Sequence, residues 1–225
     1  MTRTKLADRQ LPAYTRGEEI FNMVTHIVGG GLGLVAMILC IIRAASHHNA
    51  WGVISSLIYG CSLIILFTMS AIYHGIHPRH DTAKKVFQIL DHCTIFVLIA
   101  GTYTPVLLCK IRPYDSQTAW MLFAIVWSAA IIGIILNAID IKRYKIFSMI
   151  CYLAMGWCIL FKFTLLPKTI GWNAIILLLL GGIAYTIGTI FYGAQKKAKY
   201  MHSIWHLWIL AGAILHFFAI IIYVL

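Results

Sequence analysis

The 225-residue sequence predicts an all-α membrane protein, a bundle of seven transmembrane helices with a cytoplasmic N-terminus and an external C-terminus. Three observations predict it: composition, the spacing of apolar runs, and the placement of positive charge. Hydrophobic residues make up 61% of the chain and charged residues 11%, where a soluble domain carries about 25% charged residues. A compact soluble fold this apolar would lack polar groups for its surface. An ordinary soluble enzyme, a disordered chain and a secreted disulfide scaffold are thereby excluded. The net charge of +11 fits basic cytoplasmic loops better than nucleic-acid binding, so no nucleic-acid partner is expected.

Seven apolar runs lie at about 23–42, 53–74, 87–108, 119–139, 146–165, 171–193 and 203–225. Most approach the ~20 residues that cross a hydrocarbon core of ~30 Å. The first follows a short cytoplasmic segment, 1–20, and is too long for a signal-peptide core, so it reads as a retained span. It carries Gly29 and Gly33 at GxxxG spacing; with no strand before them, these indicate close helix packing rather than phosphate binding. The second run ends in Ser70 and His74, and the third opens around Asp91. The fifth is the weakest, because Lys162 interrupts its end, where the side chain can snorkel to the headgroups. The sixth is uninterrupted, and the seventh opens with His202 and His206. The connections are too short for a further soluble domain, so 1–225 reads as one domain. The six cysteines form no CxxC pair and suit packing rather than a disulfide framework or a thiolate metal site.

Orientation follows from charge. One side holds Arg3, Lys5, Arg9 and Arg16, then Arg79, Lys84 and Lys85, then Lys142, Arg143 and Lys145, then Lys196, Lys197 and Lys199. The other holds only Arg43, Lys110, Arg112, Lys162 and Lys168. The positive-inside rule assigns the first side to the cytoplasm, and the chain to the plasma (inner) membrane as a multi-pass protein. This is opposite to the rhodopsin-type receptor arrangement.

Polar residues within the runs then stand out. Asp91, in ILDHCTIF, is an intramembrane carboxylate, which marks a site or a paired partner unless it is shallow enough to be hydrated or to cap the helix. His202 and His206, in MHSIWHLW, are four apart and share a helical face. Ser70 and His74 repeat that spacing. The second span runs inward and the third and seventh run outward, so His74, Asp91, His202 and His206 lie at one cytoplasmic depth. Three imidazoles beside a carboxylate suit a zinc site with one open position. A hydrogen-bonded histidine cluster and a proton relay fit the same pattern. Glu19, Asn22 and His26 share one face at that depth; they can support the site from behind, or Glu19 can serve the helix dipole alone. His47, His48, His77 and His80 read as loop residues, His216 as deeper and alone, and His92 as packing away from Asp91.

In order along the chain, EEIFNMVTH, SAIYH, LDHCTIFVLIAGTYTP and HSIWH resemble the hemolysin III family. That family is the bacterial branch of the progestin and adiponectin receptor (PAQR) group, within a superfamily of membrane hydrolases. The resemblance covers essentially the whole chain. It implies Zn2+ held by His74, His202 and His206, with Asp91 holding or deprotonating the zinc-bound water and Ser70 close by. It also implies a lipid-amide (ceramide-type) hydrolase activity, a part in membrane-fluidity homeostasis, or cell lysis by pore formation.

Three functions are therefore expected to compete. One is a zinc-dependent hydrolase of a lipid amide or ester at the cytoplasmic leaflet, with membrane lipids as partners and a fatty-acyl substrate. The second is a pore-forming, cytolytic protein, which needs polar lining from face to face. The third is a non-enzymatic sensor of membrane state in which zinc only clamps helices.

Overall fold

The computed structural model describes residues 4–225; Arg3, counted above among the cytoplasmic charges, lies outside them. Seven helices are long and apolar enough to cross a membrane: α1 (Arg16–Ser46), α2 (Ala50–Gly75), α3 (Asp81–Tyr114), α4 (Ser116–Asp140), α5 (Lys145–Thr169), α6 (Gly171–Gly193) and α7 (Met201–Val224). Among the described residues there is no strand.

Most of the helices begin or end outside the apolar runs, because local capping rather than hydropathy sets their ends. Thr15 caps α1 in a reciprocal box with Glu18, whose carboxylate takes the Thr15 backbone N–H at 2.8 Å. Residues 16–20 are therefore helical rather than part of the leading segment. Asn49 Oδ1 accepts the Gly52 N–H at 2.8 Å at the start of α2, and Asp115 Oδ1 accepts from Thr118 N at 2.9 Å at the start of α4.

Two spans are irregular. Beyond Pro105, α3 widens into a π-helical turn over Val106–Ile111; proline has no N–H to give the ladder, and the hydrogen bonding is reset beyond it. The fifth span stays α-helical to Trp157, tightens to 3-10 over Cys158–Leu165 with Lys162 off helical geometry, and resumes at Leu166. The interruption expected at Lys162 is thus a break in the backbone, with the lysine exposed.

α3 is the most buried span and α5 the least. α1 packs on α2 and α7, α2 on α3, α3 on α4, and α6 on α7. Outward faces are apolar: Ile27, Val28, Ile42, Ile131 and Ile190 are more than half exposed, and Phe161 is 90% exposed. Polar side chains turn inward instead, an inversion that only a lipid environment rewards. The α1–α2 contact depends on Gly29 and Gly33. A Cβ at Gly29 would lie 2.6 Å from the Phe67 ring, and one at Gly33 would lie 3.1 Å from Leu63 Cβ. Gly29→Ala is expected to destabilise the bundle by about 1–3 kcal/mol, seen as a lower Tm in detergent; an unchanged Tm would show that the Phe67 ring yields to the added methyl without cost. The six cysteines are unpaired, as expected.

Candidate metal centre

At the end of the bundle that carries the described N-terminal segment, four helices turn polar side chains inward. α1 supplies Glu19, Asn22 and His26; α2 supplies Ser70, Tyr73 and His74; α3 supplies Asp91; α7 supplies His202, Ser203 and His206. Each of these helices was expected to contribute at this depth, and the tertiary packing brings the three histidines together. One nitrogen from each of His74, His202 and His206 lies within 4.8 Å of the others, and all three residues are buried.

The Nε2 atoms of His202 and His206 are 3.1 Å apart. Two nitrogens bound to one tetrahedral zinc at ~2.0–2.1 Å lie about 3.3 Å apart, so this edge has the right length. His74 approaches from α2, its ring centroid 5.3 Å from that of His202 and 4.9 Å from that of His206. Its Nδ1 lies 2.5 Å from Glu19 Oε2, while its Nε2 is buried without a protein partner. A neutral imidazole that donates through Nδ1 leaves the Nε2 lone pair free. That is the carboxylate–histidine arrangement of metal ligands.

The other candidates take different places. His26 stacks on His206 with ring centroids 3.8 Å apart and planes 16° apart. Asn22 is fully buried with both amide atoms unpartnered, and Ser70 Oγ is likewise buried and unpartnered. Asp91 is 4% exposed, and its Oδ2 has no hydrogen-bond partner. Native interiors leave few such atoms, because each costs about 1–3 kcal/mol. Their concentration beside three histidines fits a bound cation and its water. Glu19, Asn22 and His26 do share a face, but Glu19 supports His74 while His26 covers His206.

Sequence reasoning missed three features. Glu18 ties α1 to α7: its Oε1 accepts the backbone N–H of Tyr200 at 2.7 Å, and Tyr200 has the left-handed φ of 63° from which α7 starts. The i,i+3 pairing with Thr15 was the available signal. Tyr14 lies over His202, ring centroids 4.8 Å apart, and donates to Gln195 Oε1 at 2.9 Å. Burial, reinforced by the nearby phenols and carboxylates, pushes its own phenol well above the usual range, so it stays a donor. Lys84 and Lys85, read as loop charges, instead lie buried in the first turn of α3.

An apolar cavity of about 160 Å³ opens beside the cluster; on this measure one water needs about 10–15 Å³. Asp91, Ile95, Leu98, Thr102 and Val106 form one wall. From Asp91 to Val106 is about 22 Å at ~1.5 Å per residue, against ~15 Å for one leaflet's share of the hydrocarbon core. His92 turns its Nε2 to the Tyr192 hydroxyl at 3.1 Å, yet lines this cavity with Asp91. His216, on α7 well past His206, faces Leu178 O at 3.1 Å and belongs to the cavity's far part.

A sequence profile described as Haemolysin-III related matches residues 14–217. The chain is 41% identical over 208 residues to Hemolysin-3 of Bacillus cereus, covering 92% of each protein. It is 39% identical over 210 residues to the Hemolysin-3 homolog of Bacillus subtilis (strain 168), covering 93% of this chain and 96% of that one. Similarity extends to the human monocyte to macrophage differentiation factor, 29% identical over 176 residues, covering 76% and 71%, which fits the link to the PAQR group. With seven membrane-spanning helices and a profile match along nearly its whole length, this multi-pass integral membrane protein belongs to the haemolysin-III-related family.

Proposed function

We propose that this protein is a zinc-dependent hydrolase of a lipid amide or ester, working at the cytoplasmic leaflet of the plasma membrane and serving membrane lipid homeostasis. The observation that carries this reading is the junction of two features. Three buried imidazoles converge within 4.8 Å of one another, and Asp91 and His26, the latter stacked on His206, line a long apolar cavity beside them. The orientation rests on the basic residues gathered at the same end of the bundle.

His74, His202 and His206 would hold the zinc, whose chemistry is to polarise a carbonyl and to lower the pKa of water toward ~7. The chain's own groups do the rest. The cavity takes the acyl chain and keeps the scissile carbonyl near the histidines. Asp91 accepts a proton from the attacking water and returns it to the leaving amine or alcohol, yielding a fatty acid. Ser70, one turn before His74, offers an unpartnered hydroxyl to the same region. A pore in a single copy suits the structure less well, because past Thr102 the cavity wall includes Val106, Leu166 and Ile175, with no continuous polar lining.

The test is hydrolysis by purified protein in detergent micelles, offered N-acyl and ester lipids. Turnover is expected to stop when a chelator removes zinc and to return on its re-addition. Zinc-loaded protein that releases fatty acid from neither class would overturn the reading, and dye release from liposomes would then favour the lytic one.

A further inference from the structure

The side-chain chain behind His74 does not end at Glu19. Lys84, on α3, is 2% exposed, and its ammonium lies 2.8 Å from Glu19 Oε1. The same ammonium donates to Ile76 O at 2.9 Å and stands 5.2 Å from the centre of the Tyr73 ring. Glu19 is thus held at both oxygens, Oε1 by Lys84 and Oε2 by His74 Nδ1. A lysine taken out of water is costly, and a buried ion pair seldom returns more stability than an apolar pair of the same size. Its place beside a candidate metal ligand calls for another reason.

We propose that Lys84 is a positioning residue of the metal centre. By fixing one oxygen of Glu19 it aims the other at His74 Nδ1, and so turns His74 Nε2 toward a divalent cation shared with His202 and His206. The inference rests on the zinc reading above and extends it outward by one residue. Without Lys84 the part-buried carboxylate is free to rotate and takes water in place of the ammonium. The orientation of His74 is then lost. Lys85 supplies the internal control: it is equally buried and one position along, but its ammonium bonds Ala7 O at 2.9 Å and Asp81 at 2.7 Å.

The experiment measures Zn2+ affinity of the full chain in detergent by chelator competition, and the visible absorption of the Co2+ form, for wild type, Lys84→Met and Lys85→Met. Lys84→Met is expected to bind zinc roughly 10–100-fold more weakly with an altered Co2+ spectrum, while Lys85→Met matches wild type. Equal affinity and spectrum for wild type and Lys84→Met would overturn the role of Lys84, even with a lower Tm, since that pattern marks a lysine that only pins the α2–α3 connection. Wild type that takes up neither Zn2+ nor Co2+ would overturn the metal reading itself, a distinguishable failure. Should Lys84→Met not fold, Glu19→Gln is compared with Glu19→Gln/Lys84→Met, which leaves no unpaired charge. Equal affinities, both below wild type, support action through Glu19; a further loss in the double variant overturns it.

Discussion

Asp91→Asn is expected to lower lipid hydrolysis by about 10²–10⁴-fold, the usual share of a general base, which is about 3–5 kcal/mol of transition-state stabilisation. The substitution keeps the side chain's shape and removes only its charge and basicity. Little in the fold depends on that charge. Asp91 Oδ2 makes no hydrogen bond, the nearest cationic candidate is His92 Nδ1 at 3.6 Å, and the Thr94 hydroxyl bonds to the Asp91 main-chain carbonyl. Zinc content and Tm should therefore stay close to wild type while turnover falls. The three readings are taken on one preparation. Unchanged lipid turnover in zinc-loaded Asp91→Asn would remove the catalytic role and leave a centre that clamps α2 to α7.

His202→Ala is expected to reduce bound metal from about one zinc per chain to nearly none, because a catalytic-type site has only three protein ligands. Metal analysis of detergent-purified protein, without chelator in any buffer, measures this. His216→Ala is the control on the same helix: its ring bonds Leu178 O and is no member of the cluster, so zinc should be retained. The loss should also appear in stability. A ligand present at 100 times its Kd stabilises the folded state by about 2.7 kcal/mol, so added zinc should raise the Tm of wild type and of His216→Ala but not of His202→Ala. Wild type with no zinc would leave the histidines as a buried cluster or a proton relay.

The spans and the depth of the key residues were legible in the sequence because the bilayer imposes a one-dimensional rule. A run of about 20 apolar residues must be a helix, and alternate helices must run in opposite directions. Depth along the chain is then arithmetic, and that arithmetic brought His74, Asp91, His202 and His206 to one end. Gly29 and Gly33 also had a local meaning, since close approach needs no knowledge of which helix approaches. The weakness of the fifth span was legible from Lys162, a charge in an apolar run, but the break in its backbone was not.

Other features had no such local trace. Hydropathy counts Lys84 as a charge next to a span, and only the tertiary structure shows it buried, reaching from α3 to Glu19 on α1. His92 follows Asp91 and was expected to pack elsewhere; it does turn to Tyr192, a residue 100 positions away, and still lines the cavity. Tyr14 lies over His202 across nearly the whole chain. The number of spans and the common depth of His74, Asp91, His202 and His206 are properties of the sequence alone, because they follow from transfer of single residues into hydrocarbon. Tertiary structure alone decided which face of each helix meets which neighbour. It thereby chose Glu19 as the support of His74, made His26 a cover for His206, and opened an apolar cavity along α3. Those outcomes depend on rotation and packing about helix axes, where side-chain volumes at close approach act and hydropathy carries no information.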